Sequence, residues 1–120
     1  MELKEDSASG QYRIQEASQH AVTVNDVQYR ESFIVTRDHL IPTWRPTHIK
    51  DVQPADLTWI INQSPEVLLI GAAEGTDVPP KLLRQYDCMS VEAACRTFTA
   101  LSAEHRDVIA AIILRGEDHD

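Results

Sequence analysis

The sequence contains few of the residue types that define specialised small folds. Its 120 residues include 2 cysteines and 4 glycines, and aromatic side chains make up 6% of the chain. Cys88 and Cys95 do not form a Cys-x-x-Cys pair, and two cysteines in a chain of this length are no disulfide framework. We therefore expect a protein of a reducing compartment, stabilised by an apolar core rather than by cross-links.

Long apolar runs and a basic leader are also absent. The longest apolar segments, residues 67–70 and 108–114, are far shorter than the ~20 residues of a membrane-spanning helix. The first residues are acidic and lack the positively charged start and apolar stretch of a signal peptide. These features predict a cytoplasmic protein without a membrane span.

Basic residues are scarce, because 11 Lys and Arg stand against 19 Asp and Glu, for a net charge of −8. Residues 1–10 contribute −2 and residues 116–120 contribute −3, so the body of the chain is only mildly negative. Without a cluster of Lys and Arg to neutralise phosphates, we expect no nucleic-acid partner. The two polar ends predict a flexible acidic N-terminus and an acidic tail around a single domain at residues 11–115.

The first half of the sequence predicts a small antiparallel meander. Apolar and polar residues alternate there with the period of a half-buried strand. Asn25 and Asp26 both tolerate positive φ, so they predict a tight hairpin turn. The predicted strands lie near residues 12–14, 22–24, 27–29 and 32–36, followed by an extended segment, 40–46, that contains two prolines.

The second half alternates between helical and strand patterns, which predicts a mostly parallel sheet with helices on its faces. Residues 108–114 are the most apolar segment and are expected to form the central strand. The predicted order is a helix from Pro54 with a stripe of Leu57, Ile60 and Ile61, a buried strand at 67–70, a turn-rich loop at 71–80, a short helix containing Leu82, Leu83 and Tyr86, a strand at Cys88–Val91, a helix at 92–104, and the central strand.

The loop Gly71–Asp77 occupies the place where many α/β proteins bind phosphates, between a buried strand and a helix. Its spacing is not Gly-x-Gly-x-x-Gly, and no lysine follows as in a P-loop. Glu74 and Asp77 would also repel an anion. We therefore expect a plain connection in which Asp77 or Thr76 caps the helix that begins near Pro79.

Cys95 beside Arg96 suggests a reactive thiol, because a neighbouring cation lowers a thiol pKa. Helical spacing instead places Cys95 on one apolar stripe with Ala94 and Phe98. Arg96 follows Glu92 by four residues, the spacing of a surface ion pair. We therefore expect a buried, structural Cys95.

No other motif identifies a reaction. The five histidines pair with no other His or Cys at metal-site spacing, and no nucleophile elbow is present, so we predict neither metal nor cofactor. Trp44 lies between Pro42 and Pro46, where a rigid extended segment could present it to a partner. A tryptophan is also a large core-filling side chain, and the sequence leaves these two interpretations open.

Several segments resemble a known family of small domains. This family includes mitochondrial complex I assembly factor 3 and the adipogenesis-associated domain protein, with many uncharacterised bacterial members. The similarity covers about residues 12–114, and the block Ala93–Thr97 is its most specific part. The similar segments are Ser32–Thr36, Trp44, Val67–Gly71, Ala93–Phe98, Glu104–Arg106 and Val108–Leu114.

The resemblance implies a three-layer α/β fold, with a central mixed sheet, helices on its faces and an additional antiparallel β-layer from the N-terminal half. It also implies a bacterial relative and a link to respiratory complex assembly, the role of the family's mitochondrial members, and it supplies no established catalytic residues. Members usually have Gly-x-Gly after the buried strand, whereas this chain has Gly71 and Gly75. They often have Asn at the position of Thr99 and Gly at the position of His105.

Two hypotheses for function follow from these observations. The first is a non-catalytic interaction or assembly factor with a protein partner, favoured because no acid, base, nucleophile or metal set converges. The alternative is a small-molecule-binding protein or enzyme that uses a cleft near Gly71 and Arg96. The residues predicted for a pocket or an interaction surface are Trp44, Gly71, Gly75, Arg96 and Thr97.

Overall fold

A computed structural model describes residues 12–73 and 87–114 of the chain. These residues form two sheets and two α-helices, with two short 3-10 turns at Ile49–Asp51 and Pro54–Leu57. In chain order the elements are β1 (Ile14–Ala17), β2 (Val22–Val24), β3 (Val27–Tyr29), β4 (Phe33–Thr36), β5 (Leu40–Ile41), α1 (Thr58–Asn62), β6 (Val67–Gly71), β7 (Asp87–Met89), α2 (Val91–Ala103) and β8 (Val108–Ile112).

The first three strands form an antiparallel sheet in the order β1-β2-β3, which confirms the predicted meander for these strands. The fourth predicted strand, β4, instead belongs to the second sheet, where it pairs with β8. The turn between β2 and β3 has Asn25 at φ 49° and Asp26 at φ 72°. Two consecutive positive φ values are the signature of a type I′ turn, and Asn and Asp accept them more easily than most residues. The predicted hairpin is therefore confirmed with its physical cause.

The second sheet has five strands in the order β5-β4-β8-β6-β7. β8 lies at the centre, antiparallel to β4 and parallel to β6, while β6 is also parallel to β7. All five residues of β8 are buried, as expected for a strand covered on both faces. The prediction of a mixed sheet with this central strand is confirmed.

Alternation along the buried strands divides the core in two, because successive side chains point to opposite faces of a sheet. On one face, Phe33, Leu69 and Ala110 pack with α2 and with β2 of the small sheet. On the other face, Ile34 and Ile70 pack with residues from the segment 44–62. The three layers confirm the predicted fold class.

One predicted strand boundary and one predicted buried residue are wrong. The strand expected at Cys88–Val91 ends at Met89, because Ser90 is the N-cap of α2 and its Oγ accepts a hydrogen bond from the Ala93 N–H at 3.1 Å. The expected apolar stripe holds Leu57 and Ile60, but Ile61 is 55% exposed. The helix expected from Pro54 is a 3-10 turn at Pro54–Leu57 followed by the five-residue α1, and of the three predicted stripe residues only Leu57 and Ile60 are buried.

Some sequence predictions fall outside the described residues. They concern the N-terminus at 1–10, most of the loop with Gly75, the helix with Leu82, Leu83 and Tyr86, and the acidic tail at 116–120.

Candidate functional site

A groove of about 530 Å³ runs between β1 and α2. The strand side consists of all four residues of β1, Ile14–Ala17. The helix side of the groove consists of Glu92, Cys95, Arg96, Thr99 and Ala100. Such positions, three and four residues apart, occupy one face of a helix. A smaller depression of about 260 Å³ shares Ile14 and Thr99 with the groove and extends it toward Ala103.

The position of α2 follows from its sequence. Val91, Ala94 and Phe98 are buried against the five-stranded sheet, and this packing leaves the neighbouring face of the helix toward β1. At the C-terminal end, the His105 N–H donates to the Ser102 carbonyl and the Arg106 N–H donates to the Leu101 carbonyl. These two bonds form a Schellman motif.

His105 takes the left-handed position of that motif, with φ 62°. This backbone conformation explains why glycine is common there in the family that the sequence resembles. The His105 Nδ1 also lies 3.4 Å from Nη2 of Arg37. At the end of α2, His105 therefore adopts a left-handed backbone conformation and its side chain contacts Arg37.

Cys95 lines the groove, but only 3% of its surface is exposed. Burial, with a smaller contribution from Glu92, raises the pKa of the Cys95 thiol to about 12. The sulfur is therefore held as a neutral thiol at physiological pH, whereas a nucleophile needs the thiolate. This result favours the structural interpretation of Cys95 over the reactive one.

Arg96 is exposed on the groove, as is Glu92 one turn earlier. The ion pair expected between them is not formed. Among residues 12–73 and 87–114, the salt bridges join Arg45 to Asp56, His48 to Asp51, and Arg106 to Glu66. Glu16 on the strand side has no salt-bridge partner in that part of the chain either, so the groove displays charges that are not neutralised locally.

Thr97 is not part of the groove lining. It is half-buried, and its Oγ1 donates a hydrogen bond to Sδ of Met89 at 3.8 Å. Thr97 therefore ties α2 to β7. Of the predicted pocket residues on α2, the structure brings Arg96 to the groove and leaves Thr97 in a packing role.

Gly71 has a packing role as well. A Cβ at this position would lie 2.8 Å from Cβ of Ala94 and 3.2 Å from the Val91 Cα. The glycine therefore lets α2 approach the sheet closely. Arg96 lines the groove and Gly71 does not, so the groove observed differs from the cleft expected near these two residues.

Trp44 is 8% exposed and belongs to the core on the other face of the sheet. Its indole N–H donates to the Asp56 carbonyl at 3.0 Å, and Nε and Nη2 of Arg45 donate to the Asp56 carboxylate at 2.9 and 2.6 Å. The bond to the Asp56 carbonyl satisfies the N–H of the buried indole. The structure favours the core-filling interpretation and does not present Trp44 as an exposed anchor.

Residues 12–73 and 87–114 provide neither a metal-binding cluster nor a membrane-spanning helix. In that part of the chain, no group of three or more His, Cys, Asp or Glu side chains is arranged to hold a metal ion. No helix there has both the length and the apolar composition needed to cross a membrane.

The fold and the groove together define a three-layer α/β domain with an open groove between β1 and α2. Residues 14–113 match the protein family described as "Protein of unknown function (DUF498/DUF598)". The chain belongs to this family.

Solved structures show the same architecture. A Xanthomonas campestris protein solved by NMR superposes with a TM-score of 0.83 at 26% identity, over 100% of this chain and 97% of that one. A Bordetella pertussis protein described as an Mth938-like domain superposes with a TM-score of 0.70 at 19% identity, over 98% and 95% of the two chains. The fold is therefore that of an Mth938-like domain.

One curated relative is a Francisella tularensis protein named "13 kDa major membrane protein". It is 32% identical over 73 residues, which cover 54% of this chain and 59% of that protein. The match thus spans about three fifths of the relative's length.

Of the groove residues, the sequence predicted Arg96 as part of a pocket or interaction surface and Cys95 as a buried core residue. The prediction missed the strand wall, Ile14–Ala17, together with Thr99 and Ala100. The helical spacing of the exposed side chains marks one face of α2. Which strand lies opposite that face depends on how the small sheet packs, and no local pattern encodes this.

Proposed function

We propose that this protein is a non-catalytic interaction module that holds a protein partner in the groove between β1 and α2. The observation that supports this most is the groove itself, about 530 Å³ in volume and bounded by a strand and an exposed helix face. Its lining combines apolar side chains with the charges of Glu16, Glu92 and Arg96, none of which forms a salt bridge among residues 12–73 and 87–114. Apolar surface with a few polar groups is the usual composition of a recognition site.

The chemistry of the groove also favours binding over catalysis. Its thiol, Cys95, is held neutral by burial, and a nucleophile or general base requires a group that ionises near the working pH. The enzyme alternative would use Gly71, but Ala94 packs closely against this glycine and fills the space beside it. The alternative thus lacks a supporting arrangement in the described part of the chain.

A finer proposal concerns the identity of the partner. The resemblance to an assembly factor supports a subunit of a respiratory complex, and a cytoplasmic location would place this protein where such subunits are assembled. A membrane-bound partner would also connect the protein to the membrane without a spanning helix of its own. Deleting the gene should then lower NADH dehydrogenase activity in isolated membranes, and unchanged activity would rule out this partner class.

Site-specific photocross-linking tests the interaction itself. Benzoylphenylalanine at position 99 would project from the groove wall, and the matched control at position 55 is exposed on the opposite side of the large sheet. We expect a defined cross-linked protein from position 99 in living cells and none from position 55. The product should disappear when Ala100→Trp fills the groove. Equal cross-linking from both positions, or none from position 99, would contradict the proposal.

A further inference from the structure

The groove follows the free edge of a sheet. β1 has β2 as its one neighbour in the small sheet, so its other side is an edge. Within the described chain, Ile14–Ala17 forms no backbone hydrogen bond outside the pairing with β2. An edge strand offers unpaired N–H and C=O groups to another chain.

The groove runs along the whole length of β1 and contacts four consecutive residues, 14 to 17. A β-bulge between Ile14 and Glu16 interrupts the pairing with β2 and the regular alternation of side chains. Residues that would otherwise lie on opposite faces therefore adjoin the same space. The groove lies between this outer strand of the small sheet and the exposed face of α2.

The chain on either side of this edge is tied down. The Tyr12 N–H donates to the Arg37 carbonyl at 3.2 Å, and the Ser18 N–H donates to the Ala21 carbonyl at 2.9 Å. The Gln15 side chain bonds both the backbone N–H and the carboxylate of Asp26, at 2.6 and 3.0 Å. The open edge is thus short and held in place, which lowers the entropic cost of binding along it.

The two walls have matching lengths. Strand residues rise by about 3.3 Å each, so β1 spans about 10 Å from position 14 to 17. Helical residues rise by about 1.5 Å, so the wall from position 92 to 100 spans about 12 Å. The small side chains of Ala17, Cys95 and Ala100 leave the space between the walls open. An extended segment of about four residues fits these dimensions.

The charges on α2 have a spacing that a strand can match. Glu92 and Arg96 are four residues apart, a rise of about 6 Å along the helix. Side chains on the same face of a strand are two residues apart, or about 6.6 Å. One basic and one acidic side chain separated by a single residue would therefore meet Glu92 and Arg96 together.

We infer that the partner binds as an extended strand that adds to the edge of β1 and places a basic and an acidic side chain, one residue apart, against Glu92 and Arg96. The inference rests on the proposed function and specifies the form and chemistry of the partner. Main-chain hydrogen bonds to β1 supply affinity in this mode, and the side chains facing α2 supply selectivity. Glu16 adds a second carboxylate near the basic side chain.

Synthetic peptides test this inference on the full chain. The probe is a blocked heptapeptide of threonine and valine that contains lysine and glutamate with one valine between them. Control peptides have two lysines or two glutamates, and a fourth has the mixed sequence with N-methyl groups on alternate amides. Affinity and location are measured together by titration of ¹⁵N-labelled protein with NMR.

We expect the mixed peptide to shift the amide signals of β1 and α2 and to bind about two- to fivefold more tightly than either uniformly charged peptide. N-methylation should weaken binding at least about fivefold, because it removes main-chain donors. Arg96→Glu should reverse the preference toward the two-lysine peptide. Ala100→Trp should abolish binding, whereas the matched variant Ala55→Trp should leave it unchanged.

Equal binding of the mixed and uniformly charged peptides, or binding unchanged by N-methylation or by Ala100→Trp, would overturn the inference, as would the absence of binding. If the protein alone forms a dimer that Ala100→Trp dissociates, a second copy occupies the groove and the inference is also wrong. The proposed function is judged separately, because cross-linking at position 99 detects a partner of any shape. A cross-link without peptide selectivity would retain the interaction module and reject strand addition.

Discussion

The two faces of the five-stranded sheet are covered in different ways. On one face, the 13-residue helix α2 and the small sheet pack through apolar side chains. On the other, the segment 44–62 provides only the five-residue α1 and two 3-10 turns. Hydrogen bonds to Asp56 hold this irregular segment together. The donors are the Trp44 indole, the Arg45 guanidinium and the Gln53 N–H.

The difference concerns where the two covers leave side chains exposed. The helix and strands on the first face bury their apolar sides against the sheet. Their exposed side chains then line the groove between α2 and β1. Irregular chain must satisfy its backbone groups locally, so the segment 44–62 uses its polar side chains internally. The groove and its smaller neighbour accordingly lie on the α2 side.

The largest effect is expected from Phe98→Ala. Phe98 is 1% exposed in the core beneath α2, and removing a buried aromatic ring costs about 3–5 kcal/mol of unfolding free energy. Chemical denaturation of the variant measures this loss. Thr99→Ala, at the next and exposed position, is the control and should cost less than about 1 kcal/mol. Similar costs for the two variants would show that α2 is not held by its apolar face.

Cys95→Ser should lower the unfolding free energy by about 1–3 kcal/mol, because it places a hydroxyl in an apolar site. Cys95 in the native protein should also react with thiol reagents more slowly than Cys88, which is half-buried. Burial raises the pKa of both thiols, and that of Cys95 reaches about 12. Labelling of the single variants Cys88→Ser and Cys95→Ser separates the two rates. Fast labelling of Cys95 would restore the nucleophile hypothesis.

On the opposite face, Asp56→Asn should cost about 1–2 kcal/mol, since it weakens the bonds to Arg45 and the cap at Gln53. Hydrogen bonds from Arg45, then from Gln53, lower the pKa of Asp56 against the opposing effect of burial. The ionised carboxylate therefore stabilises the fold above the ordinary Asp pKa of about 3.9, and this contribution disappears as pH falls through the lowered folded pKa.

The same pair of proteins can be compared across pH. Denaturation curves of the wild type and Asp56→Asn should differ by a constant amount between about pH 5 and 8, and the difference should shrink below the ordinary Asp pKa of about 3.9 and vanish only below the lowered folded pKa. A difference that persists at low pH would mean that Asp56 acts through packing rather than charge.

The smallest effect is expected from Ile61→Ala, within about 0.5 kcal/mol, because the Ile61 side chain is 55% exposed. Its neighbour Ile60 is fully buried, and Ile60→Ala should cost about 2–5 kcal/mol in the same denaturation assay. Comparable losses at the two positions would show that the segment 44–62 packs differently from the structure.

The regular part of the fold was predictable because it depends on local patterns. The continuous apolar run of β8 indicated burial on both faces, and Asn25-Asp26 indicated the hairpin turn that the structure contains. The boundary at Ser90 was missed because a serine before a helix can also end a strand. Its capping role depends on the bond from Ala93 that forms only once the helix is present.

The candidate site was harder to predict, because it lies between elements that are distant in sequence. Position 14 and position 100 face each other across the groove only after β2 has packed into the core. Gly71 looked like part of a ligand loop, since sequence cannot distinguish a glycine that accommodates a ligand from one that accommodates a helix. Three-dimensional contacts with Ala94 resolve that ambiguity.

The central position of β8 has a consequence for biosynthesis. β4 and β6 lie on either side of β8 in the sheet, so neither can join the other until residues 108–112 have been synthesised. A nascent chain on the ribosome holds two separate strand pairs whose apolar faces and edges are uncovered. Because the contacts that close the sheet join residues far apart in sequence, assembly is slow compared with that of local structure. The emerging chain therefore needs protection from aggregation until its last central strand arrives.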